Sequence, residues 1–263
     1  MTSPGYARGV TPSPAPRLGW PARLWLVRHG ESEGNLADRR AHEEGLGTVD
    51  VADRDPDVAL TALGERQARA LGERLAALGG DGPQVVVSSP YVRARRTAEL
   101  AVAAAGLDVP VLLDERLRER DLGVLDGLTG RGIRERLPDE AERRARLGKL
   151  YYRPPGGESW VDVALRVRAV LTDLRREHAD RRLLVTTHQA VVMVFRYVLE
   201  GLTEDEVLAV DRRVQVANTA VTAYEGDGDR VRLLAFNDAD HLGDVGEDVT
   251  AEPGTEARAH AGA

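Results

Sequence analysis

The chain has 263 residues, which is long enough for one sizeable α/β domain with a large core. It contains no cysteine, so a disulfide framework, a thiolate metal site and a cysteine nucleophile are excluded. The formal net charge is -7, whereas nucleic-acid-binding proteins usually have a net basic domain, and no apolar run approaches the roughly 18 to 20 residues needed to cross a bilayer. We therefore expect a cytoplasmic protein with no nucleic-acid and no membrane partner.

Both ends of the chain have compositions typical of disorder. The first 22 residues contain five prolines and little apolar content, and they lack the apolar segment of a signal peptide. Residues 238–263 contain seven acidic residues against one arginine, so most of the net charge lies there. We therefore predict a disordered leader over 1–22, one folded domain over 23–237 and an acidic disordered tail over 238–263.

Between these ends, short apolar segments alternate with amphipathic ones. Residues 24–27 predict a buried strand, and the apolar positions of 61–78 recur at helical spacing behind Thr61, a favoured N-cap residue. By the same criteria we predict strands at 84–87, 109–113 and 183–187, helices at 91–105, 159–178 and 190–199, shorter helices near 129–137 and 139–148, and a hairpin of 221–224 with 231–235. Strands that alternate with helices predict a three-layer α/β/α sandwich with a mostly parallel central sheet.

Three of the predicted strands end on reactive polar residues. The first is followed by Arg28 and His29, the second by two serines with Arg93 in the next helical turn, and the fourth by His188. Parallel sheets place their ligands at the carboxyl ends of the strands. We therefore expect these two arginines and two histidines to meet in one pocket.

Such a pocket suits phosphate chemistry. Guanidinium groups match phosphate oxygens, and histidine can act as nucleophile, proton carrier or metal ligand. The sequence has no HxH or HExxH pattern, and adjacent arginines would repel a divalent cation, so we expect no metal and no cofactor. In the simplest mechanism one histidine attacks phosphorus while the other charged groups neutralise the equatorial oxygens. Glu119, in an irregular segment after a predicted strand, is a candidate proton donor for the leaving oxygen.

These residues belong to a longer set of motifs that occur in a fixed order. The motifs are Arg28–Ser32 with Asn35, Ser88–Pro90 with Arg93, Ala94 and Thr97, Leu117–Glu119 with Gly123, Pro155–Ser159, and His188 after a strand. Over residues 23–224 this ordered set resembles the histidine phosphatase superfamily. The resemblance implies a phosphoglycerate mutase-like fold.

The resemblance also implies a role for each matched position. His29 becomes the phosphohistidine, and Glu119 protonates the leaving alkoxide and then activates water. The phosphate is held by Arg28, Arg93 and His188 with help from Asn35. For this mechanism His29 must be neutral, with its second ring nitrogen donating to a backbone carbonyl. Glu119 is expected to be partly buried, with its pKa raised by the negative charge of the substrate.

The residues around the second histidine indicate a branch of the family. Gln189 stands where the superfamily usually has glycine, and the string HQAV, together with KLYYR at 149–153, resembles the fructose-2,6-bisphosphatase branch. An arginine expected four residues past Gln189 is replaced by Met193, so fructose 2,6-bisphosphate is not assigned as the substrate. The candidate substrate-binding residues from this likeness are Gln189, Lys149, Tyr152 and Arg153, and ordinary surface roles are the alternative for the last three.

The connection from Ala37 to Ala59 is longer and more acidic than is usual in this superfamily. One interpretation is a lid that selects substrates by repelling excess anionic charge. The other is an exposed loop with no role in the reaction.

The sequence as a whole predicts a metal-independent phosphatase that hydrolyses phosphomonoesters of small metabolites through a phosphohistidine on His29. The alternatives are a cofactor-dependent phosphoglycerate mutase, a sugar bisphosphatase, and a catalytically weak regulatory module that binds a phosphorylated ligand. The expected partner is a phosphorylated small molecule, and a homodimer is an open alternative to a monomer.

Overall fold

A computed structural model describes residues 18–252 of the chain. Within this range the strands are β1 (Arg23–Arg28), β2 (Val85–Ser88), β3 (Val111–Leu113), β4 (Arg182–Thr187), β5 (Val221–Asp227) and β6 (Arg230–Asp238). The helices are α1 (Glu33–Glu43), α2 (Ala62–Ala76), α3 (Val92–Ala104), α4 (Gly130–Arg136), α5 (Pro138–Tyr151), α6 (Trp160–Glu177), α7 (Gln189–Leu199), α8 (Glu204–Arg213) and α9 (Asp240–Asp244). Every predicted strand and helix is present, with ends that differ by a few residues.

The strands form one mixed sheet in the order β3-β2-β4-β1-β5-β6. Strands β3, β2, β4 and β1 are parallel, whereas β5 is antiparallel to β1 and β6 to β5. The register pairs Arg28 with Thr187 and Ser88 with Thr186, so the carboxyl ends of β1, β4 and β2 lie side by side. The predicted mostly parallel sheet is confirmed, and the strand ends that carry polar residues meet at one edge.

Helices cover both faces of the sheet, because successive strand residues point to opposite sides. On one face Leu24 and Leu26 of β1 belong to a buried cluster with residues of α6 and α7. On the other face Val27 of the same strand packs with residues of α2 and α3. The predicted three-layer α/β/α sandwich is therefore confirmed.

Two long helices begin at side chains that satisfy their free backbone N–H groups. The Thr61 hydroxyl accepts a hydrogen bond from the Gly64 N–H at 3.0 Å, and the Ser159 hydroxyl accepts one from the Asp162 N–H at 3.1 Å. The Asp162 carboxylate in turn accepts from the Ser159 N–H at 2.8 Å, which completes a capping box. These caps fix the starts of α2 and α6, the helices that cover opposite faces of the sheet.

Helices α1 and α8 are absent from the sequence prediction. Helix α1 buries only Ala41, so it has almost no apolar period to reveal it. Helix α8 has a capping box of Thr203 and Glu206, which is a recognisable start signal, but it buries only Val207 and Asp211. None of the helices in the described part of the chain combines the length and the apolar character of a bilayer-spanning segment.

The last residues of the predicted leader are ordered, so the prediction of disorder is wrong for residues 18–22. The Trp20 indole N–H donates to the Asp229 carbonyl at 3.1 Å, and the Arg175 guanidinium lies 4.4 Å from the centre of the indole ring. The backbone of Trp20 also donates to the Gly228 carbonyl at 3.1 Å and accepts from the Asp180 N–H at 3.1 Å, so ring and backbone together dock this segment on the domain. Residues 1–17 of the predicted leader lie outside the described residues.

The first part of the predicted acidic tail is also ordered, so the prediction of disorder is wrong for residues 238–252. Its helix α9 buries Leu242, the Glu247 carboxylate binds the Arg66 guanidinium at 2.9 Å, and the Asp248 carbonyl accepts from Gln67 at 2.8 Å. The acidic segment is held in place because its residues bind basic and polar side chains on the surface of α2. The rest of the predicted tail, residues 253–263, lies outside the described residues.

Candidate active site

The two predicted catalytic histidines meet at the carboxyl edge of the parallel strands. The centres of the His29 and His188 rings are 5.1 Å apart, with an angle of 62° between the ring planes. The backbone N–H of His29 donates to the Thr187 carbonyl at 2.9 Å, which connects the end of β1 to the end of β4. Both side chains are buried. The structure therefore brings together residues that are 159 positions apart, as the strand-end argument predicts.

The His29 ring is held in one tautomer. Its Nδ1 atom lies 2.7 Å from the Gly30 carbonyl oxygen. Because a carbonyl oxygen only accepts, Nδ1 carries the proton and Nε2 keeps its lone pair. Burial, followed by the positive charges of Arg93 and Arg28, holds the pKa of His29 well below its usual range. The expected neutral histidine with a backbone acceptor is therefore confirmed.

The backbone around His29 is fixed from several sides. The Asn218 side-chain amide donates to the His29 carbonyl at 2.9 Å, and the Gly30 N–H donates to the Thr97 hydroxyl at 3.0 Å. A Cβ atom at Gly30 would lie only 2.4 Å from the Gly64 carbonyl oxygen, so only glycine fits this close approach to the start of α2. The imidazole is therefore carried on a backbone with little freedom to move.

Arg28 is fully buried and is held by side chain and backbone together. Its Nη1 donates to Gln189 Oε1 at 3.1 Å and to the Val216 carbonyl at 2.5 Å, and its Nη2 lies 2.9 Å from Glu252 Oε1. The other end of the Gln189 amide donates to Gln215 Oε1 at 2.5 Å. Both ends of the Gln189 amide are therefore bonded to the protein, and one of them orients Arg28. A substrate contact of Gln189 stays a prediction.

Arg93 lies close enough to both histidines for its positive charge to lower their pKa values. Its Nη2 lies 2.9 Å from Asp55 Oδ1, and its Nη1 donates to the Asp55 carbonyl at 2.5 Å. The guanidinium carbon lies 5.1 Å from the centre of the Tyr91 ring. Asp55 belongs to the 37–59 connection, so part of this connection lies at the site.

His188 is the N-cap residue of α7, and its ring bridges β4 and the loop after β2. Its Nε2 lies 2.8 Å from the Ser89 hydroxyl oxygen, and the Tyr91 N–H donates to the same oxygen at 3.3 Å. Among residues 18–252, Nδ1 is buried and has no hydrogen-bond partner. Burial, followed by the positive charge of Arg93, holds the pKa of His188 well below its usual range.

Glu119 has the properties expected of a general acid. The residue is partly exposed, yet burial of the carboxylate is the main reason that its pKa is raised to about 7. The hydrogen bond from the Arg120 N–H at 2.7 Å opposes this shift, while the negative charges of Glu252 and Asp55 add to it. At neutral pH a large fraction of the carboxyl groups is therefore protonated. The predicted partial burial is confirmed, and the pKa is raised by burial and by these carboxylates, while a contribution from the charge of the substrate stays a prediction.

Asn35 supports the site through the backbone. Its Oδ1 accepts from the Ser32 N–H at 3.2 Å and from the Asn218 amide at 3.2 Å, and Ser32 is the N-cap residue of α1. Asn218 is the residue that binds the His29 carbonyl. Direct help by Asn35 in phosphate binding stays a prediction.

Lys149 is held by two neighbours. Its Nζ lies 2.5 Å from Asp211 Oδ2 and 5.0 Å from the centre of the Trp160 ring. Asp211 is buried, and its carbonyl accepts from Gln215, the residue that holds Gln189. Lys149 therefore belongs to the framework behind Gln189, and a substrate contact stays a prediction.

The predicted substrate contact of Tyr152 is corrected by its burial, whereas that of Arg153 stays a prediction. Tyr152 is 1% exposed, packs with Leu125 and Ile133, and donates its hydroxyl to Glu140 at 2.7 Å. Arg153 has a 67% exposed side chain and donates to the Gly157 carbonyl at 3.0 Å. The sequence KLYYR is similar to a substrate-binding motif of the family, but in this structure Tyr152 packs in a small core cluster and Arg153 lies on the surface.

Several functional candidates are absent from the sequence prediction. Asp55 and Glu252 contact the two arginines, and Asn218 holds the nucleophile's carbonyl. For Asp55 a signal existed, because it lies in the connection that is unusually acidic. For Glu252 the acidic composition of its segment indicated disorder and concealed its role.

Comparison with known proteins agrees with the geometry. The model of the histidine phosphatase superfamily (branch 1) matches residues 24–239. A 2,3-bisphosphoglycerate-dependent phosphoglycerate mutase of Methylobacterium radiotolerans is 40% identical over 187 residues, which cover 70% of this chain and 82% of the relative. A solved mycobacterial glucosyl-3-phosphoglycerate phosphatase in complex with VO3 is 28% identical, with a TM-score of 0.63 and coverage of 82% of this chain and 99% of that chain.

The alpha-ribazole phosphatase from Shigella flexneri shares the fold, with a TM-score of 0.67 at 21% identity over 82% of this chain and 96% of that chain. These matches do not specifically favour the fructose-2,6-bisphosphatase branch, so that likeness stays a prediction. The family match covers more than half of the chain and includes the strand-end residues described above. The chain therefore belongs to the histidine phosphatase superfamily, in its branch 1.

Proposed function

We propose that this protein is a metal-independent phosphatase that hydrolyses phosphomonoesters of small metabolites through a phosphohistidine on His29. The observation that carries the proposal is the pairing of His29 and His188, whose ring centres are 5.1 Å apart, with the buried Arg28 and Arg93, whose positive charges act on both rings. A neutral imidazole is a nucleophile, and fixed guanidinium groups stabilise the charge that develops on phosphate oxygens.

In the first step Nε2 of His29 attacks phosphorus while the bond between phosphorus and the ester oxygen breaks. Arg28 and Arg93 neutralise the equatorial oxygens, and Nδ1 of His188 adds a hydrogen bond. This role requires the His188 tautomer that has its proton on Nδ1, in which Nε2 accepts from the Ser89 hydroxyl at 2.8 Å.

The leaving alkoxide takes its proton from Glu119. A pKa of about 7 keeps enough of this group protonated at neutral pH to act as an acid, and the resulting carboxylate then removes a proton from water. The hydroxide attacks phosphorus, the phosphorus–nitrogen bond breaks, and inorganic phosphate leaves. Glu119 is protonated again and His29 is again neutral, so the cycle closes without another reactant.

Phosphoglycerate mutase is a second candidate, because the Methylobacterium radiotolerans relative with that name is 40% identical. A mutase uses the same phosphohistidine but must protect it from water while the product turns in the site. The name of the mycobacterial phosphatase supports hydrolysis instead. Isomerisation of 3-phosphoglycerate in the presence of 2,3-bisphosphoglycerate, measured beside phosphate release, separates the two. Faster isomerisation than hydrolysis would replace the phosphatase assignment.

The proposal is tested with p-nitrophenyl phosphate in the presence of EDTA. We expect phosphate release by the wild type, loss of release by His29→Ala, and unchanged release by the matched control His42→Ala, whose ring lies on α1 and binds the Asp38 carbonyl. An alkaline quench should preserve a phosphorylated peptide that contains His29. Wild-type protein that is folded but inactive would favour the regulatory module, and full activity of His29→Ala would refute the mechanism.

A further inference from the structure

Two acidic side chains lie directly on the two arginines assigned to phosphate. Asp55 Oδ1 is 2.9 Å from Arg93 Nη2, and Glu252 Oε1 is 2.9 Å from Arg28 Nη2. They come from separate segments, the 37–59 connection and residues 238–252. The guanidinium groups are almost fully buried, whereas the carboxylates are 41% and 24% exposed. Both carboxylates therefore lie between the buried arginines and solvent, at the mouth of the site.

Two further carboxyl groups lie within electrostatic range of this pair. Burial is the main cause of the raised pKa of Glu119, and the charges of both Glu252 and Asp55 contribute. Burial also raises the pKa of Asp126, and the charge of Asp55 is the next largest cause. The two carboxylates that lie on the arginines therefore also act on the carboxyl groups of Glu119 and Asp126.

The other arginines beside this region are committed to protein acceptors. Arg118 donates to Glu158 at 2.8 Å, and Arg166 donates to the same carboxylate at 3.1 Å. Arg166 also donates to the carbonyls of Arg116 at 2.6 Å and Glu119 at 3.2 Å. A second anionic group on a substrate would therefore meet carboxylates at the mouth, where Arg166 is engaged through all three of its nitrogens and Arg118 through Nη2.

We propose that Asp55 and Glu252 determine specificity by selecting phosphomonoesters whose remaining part is a polyol without a second negative charge. The inference rests on the proposed function of the site. The phosphate displaces the two carboxylates from the arginines but leaves them beside the bound ester. There a carboxylate accepts hydrogen bonds from hydroxyl groups and repels a carboxylate or a second phosphate.

Glycerol 3-phosphate and 3-phosphoglycerate are a matched pair of probes. They share the three-carbon skeleton and the phosphate position, and they differ in having a hydroxymethyl or a carboxylate group at carbon 1. In a His29→Ala background, which binds without turnover, calorimetry should give tighter binding of glycerol 3-phosphate by about tenfold or more. Asp55→Asn with Glu252→Gln should reduce this preference by about tenfold, mainly through tighter binding of 3-phosphoglycerate.

Each substitution has a control in its own segment. Asp57 lies in the same 3₁₀ turn as Asp55 but binds Arg54 at 2.6 Å, and Glu247 precedes Glu252 but binds Arg66 at 2.9 Å. Asp57→Asn and Glu247→Gln should leave the preference unchanged. If they reduce it as much as the double variant does, general surface charge explains the effect and the proposal is wrong.

The outcomes separate this inference from the proposed function. An unchanged preference in the double variant overturns the inference, even if p-nitrophenyl phosphate is hydrolysed normally. A changed preference in a protein that hydrolyses nothing supports the inference and overturns the phosphatase assignment. If His29→Ala does not fold, the same preference is measured from the inhibition of p-nitrophenyl phosphate hydrolysis by the two probes. Equal weakening of both probes would give Asp55 and Glu252 a structural role only and would also overturn the inference.

Discussion

Gln189 Oε1 accepts a hydrogen bond from Arg28 Nη1 at 3.1 Å. Gln189, which follows His188 in the chain, therefore orients Arg28, which precedes His29. The contact joins the start of α7 to the end of β1. It gives the glutamine a positioning role in the site, and its consequence can be measured.

Replacement of Gln189 by alanine should weaken substrate binding while the chemistry is largely kept. Arg28 would lose one acceptor that fixes its planar group, and we expect KM to rise about tenfold with a smaller change in kcat. Steady-state kinetics with p-nitrophenyl phosphate checks this. Gln189→Glu, which keeps an acceptor for Arg28, should restore much of the loss, and a fall in kcat alone would contradict the positioning role.

Replacement of Glu119 by glutamine should lower kcat by on the order of 100-fold or more, because glutamine neither protonates the leaving group nor activates water. In the wild type, kcat/KM should fall as the pH rises through about 7, the pKa at which Glu119 loses its proton. This limb should be absent from the residual activity of Glu119→Gln. A wild-type profile that is flat from pH 6 to 8 would contradict the assignment.

Replacement of Glu252 by glutamine should shift the fall of kcat/KM near pH 7 to lower pH. Burial is the main cause of the raised pKa of Glu119, but the charge of Glu252 adds to it, so removing this charge favours the ionised form. The kcat/KM profile of Glu252→Gln is to be compared with that of Glu247→Gln. A shift to higher pH, or equal shifts in both variants, would show that Glu252 does not act on Glu119.

His241 should make the fold less stable in acid. Burial, followed by the charge of Arg74, lowers the pKa of His241 to about 4, whereas the unfolded chain binds this proton near pH 6.5. The unfolded state therefore holds more protons between these values, and the free energy of unfolding falls as the pH falls through this window. Between pH 6.5 and 4 the free energy of unfolding should fall by about 3 kcal/mol less in His241→Gln than in the wild type, as measured by urea unfolding. Parallel curves for both proteins would contradict this.

Tyr152 should matter for stability and not for substrate binding. Removal of its hydroxyl in Tyr152→Phe breaks the hydrogen bond to Glu140 and should lower the free energy of unfolding by about 1 kcal/mol. KM should stay within about twofold of the wild type, since 0.4 kcal/mol is roughly that factor. A large rise in KM with unchanged stability would restore the substrate contact predicted from the sequence.

The catalytic cluster could be predicted because its determinants are local and geometric. Short apolar segments indicate strands, parallel strands align their carboxyl ends, and His29 and His188 directly follow two such segments. Glu119 does not directly follow a strand, and its role as proton donor was assigned from the order of the family motifs. The sheet register then brings these residues together without further information.

The carboxylates at the mouth could not be placed in this way. Glu252 reaches Arg28 through a segment that is fixed by contacts to α2, and no periodicity of sequence reports such contacts. The predicted substrate contact of Tyr152 was wrong for a different reason. A short string matches a family branch by its letters, whereas burial against Leu125 and Ile133 depends on packing from distant parts of the chain.

The attachment of residues 238–252 to α2 affects how a shortened version of the protein should be designed. A cut after residue 237 would remove Asp238 from Arg74, Glu247 from Arg66 and the buried Leu242 from its packing, although composition alone recommends that boundary. It would also take Glu252 from Arg28 and so change the entrance that an incoming ester meets. Deletion series and carboxyl-terminal fusions should therefore keep the chain intact through residue 252.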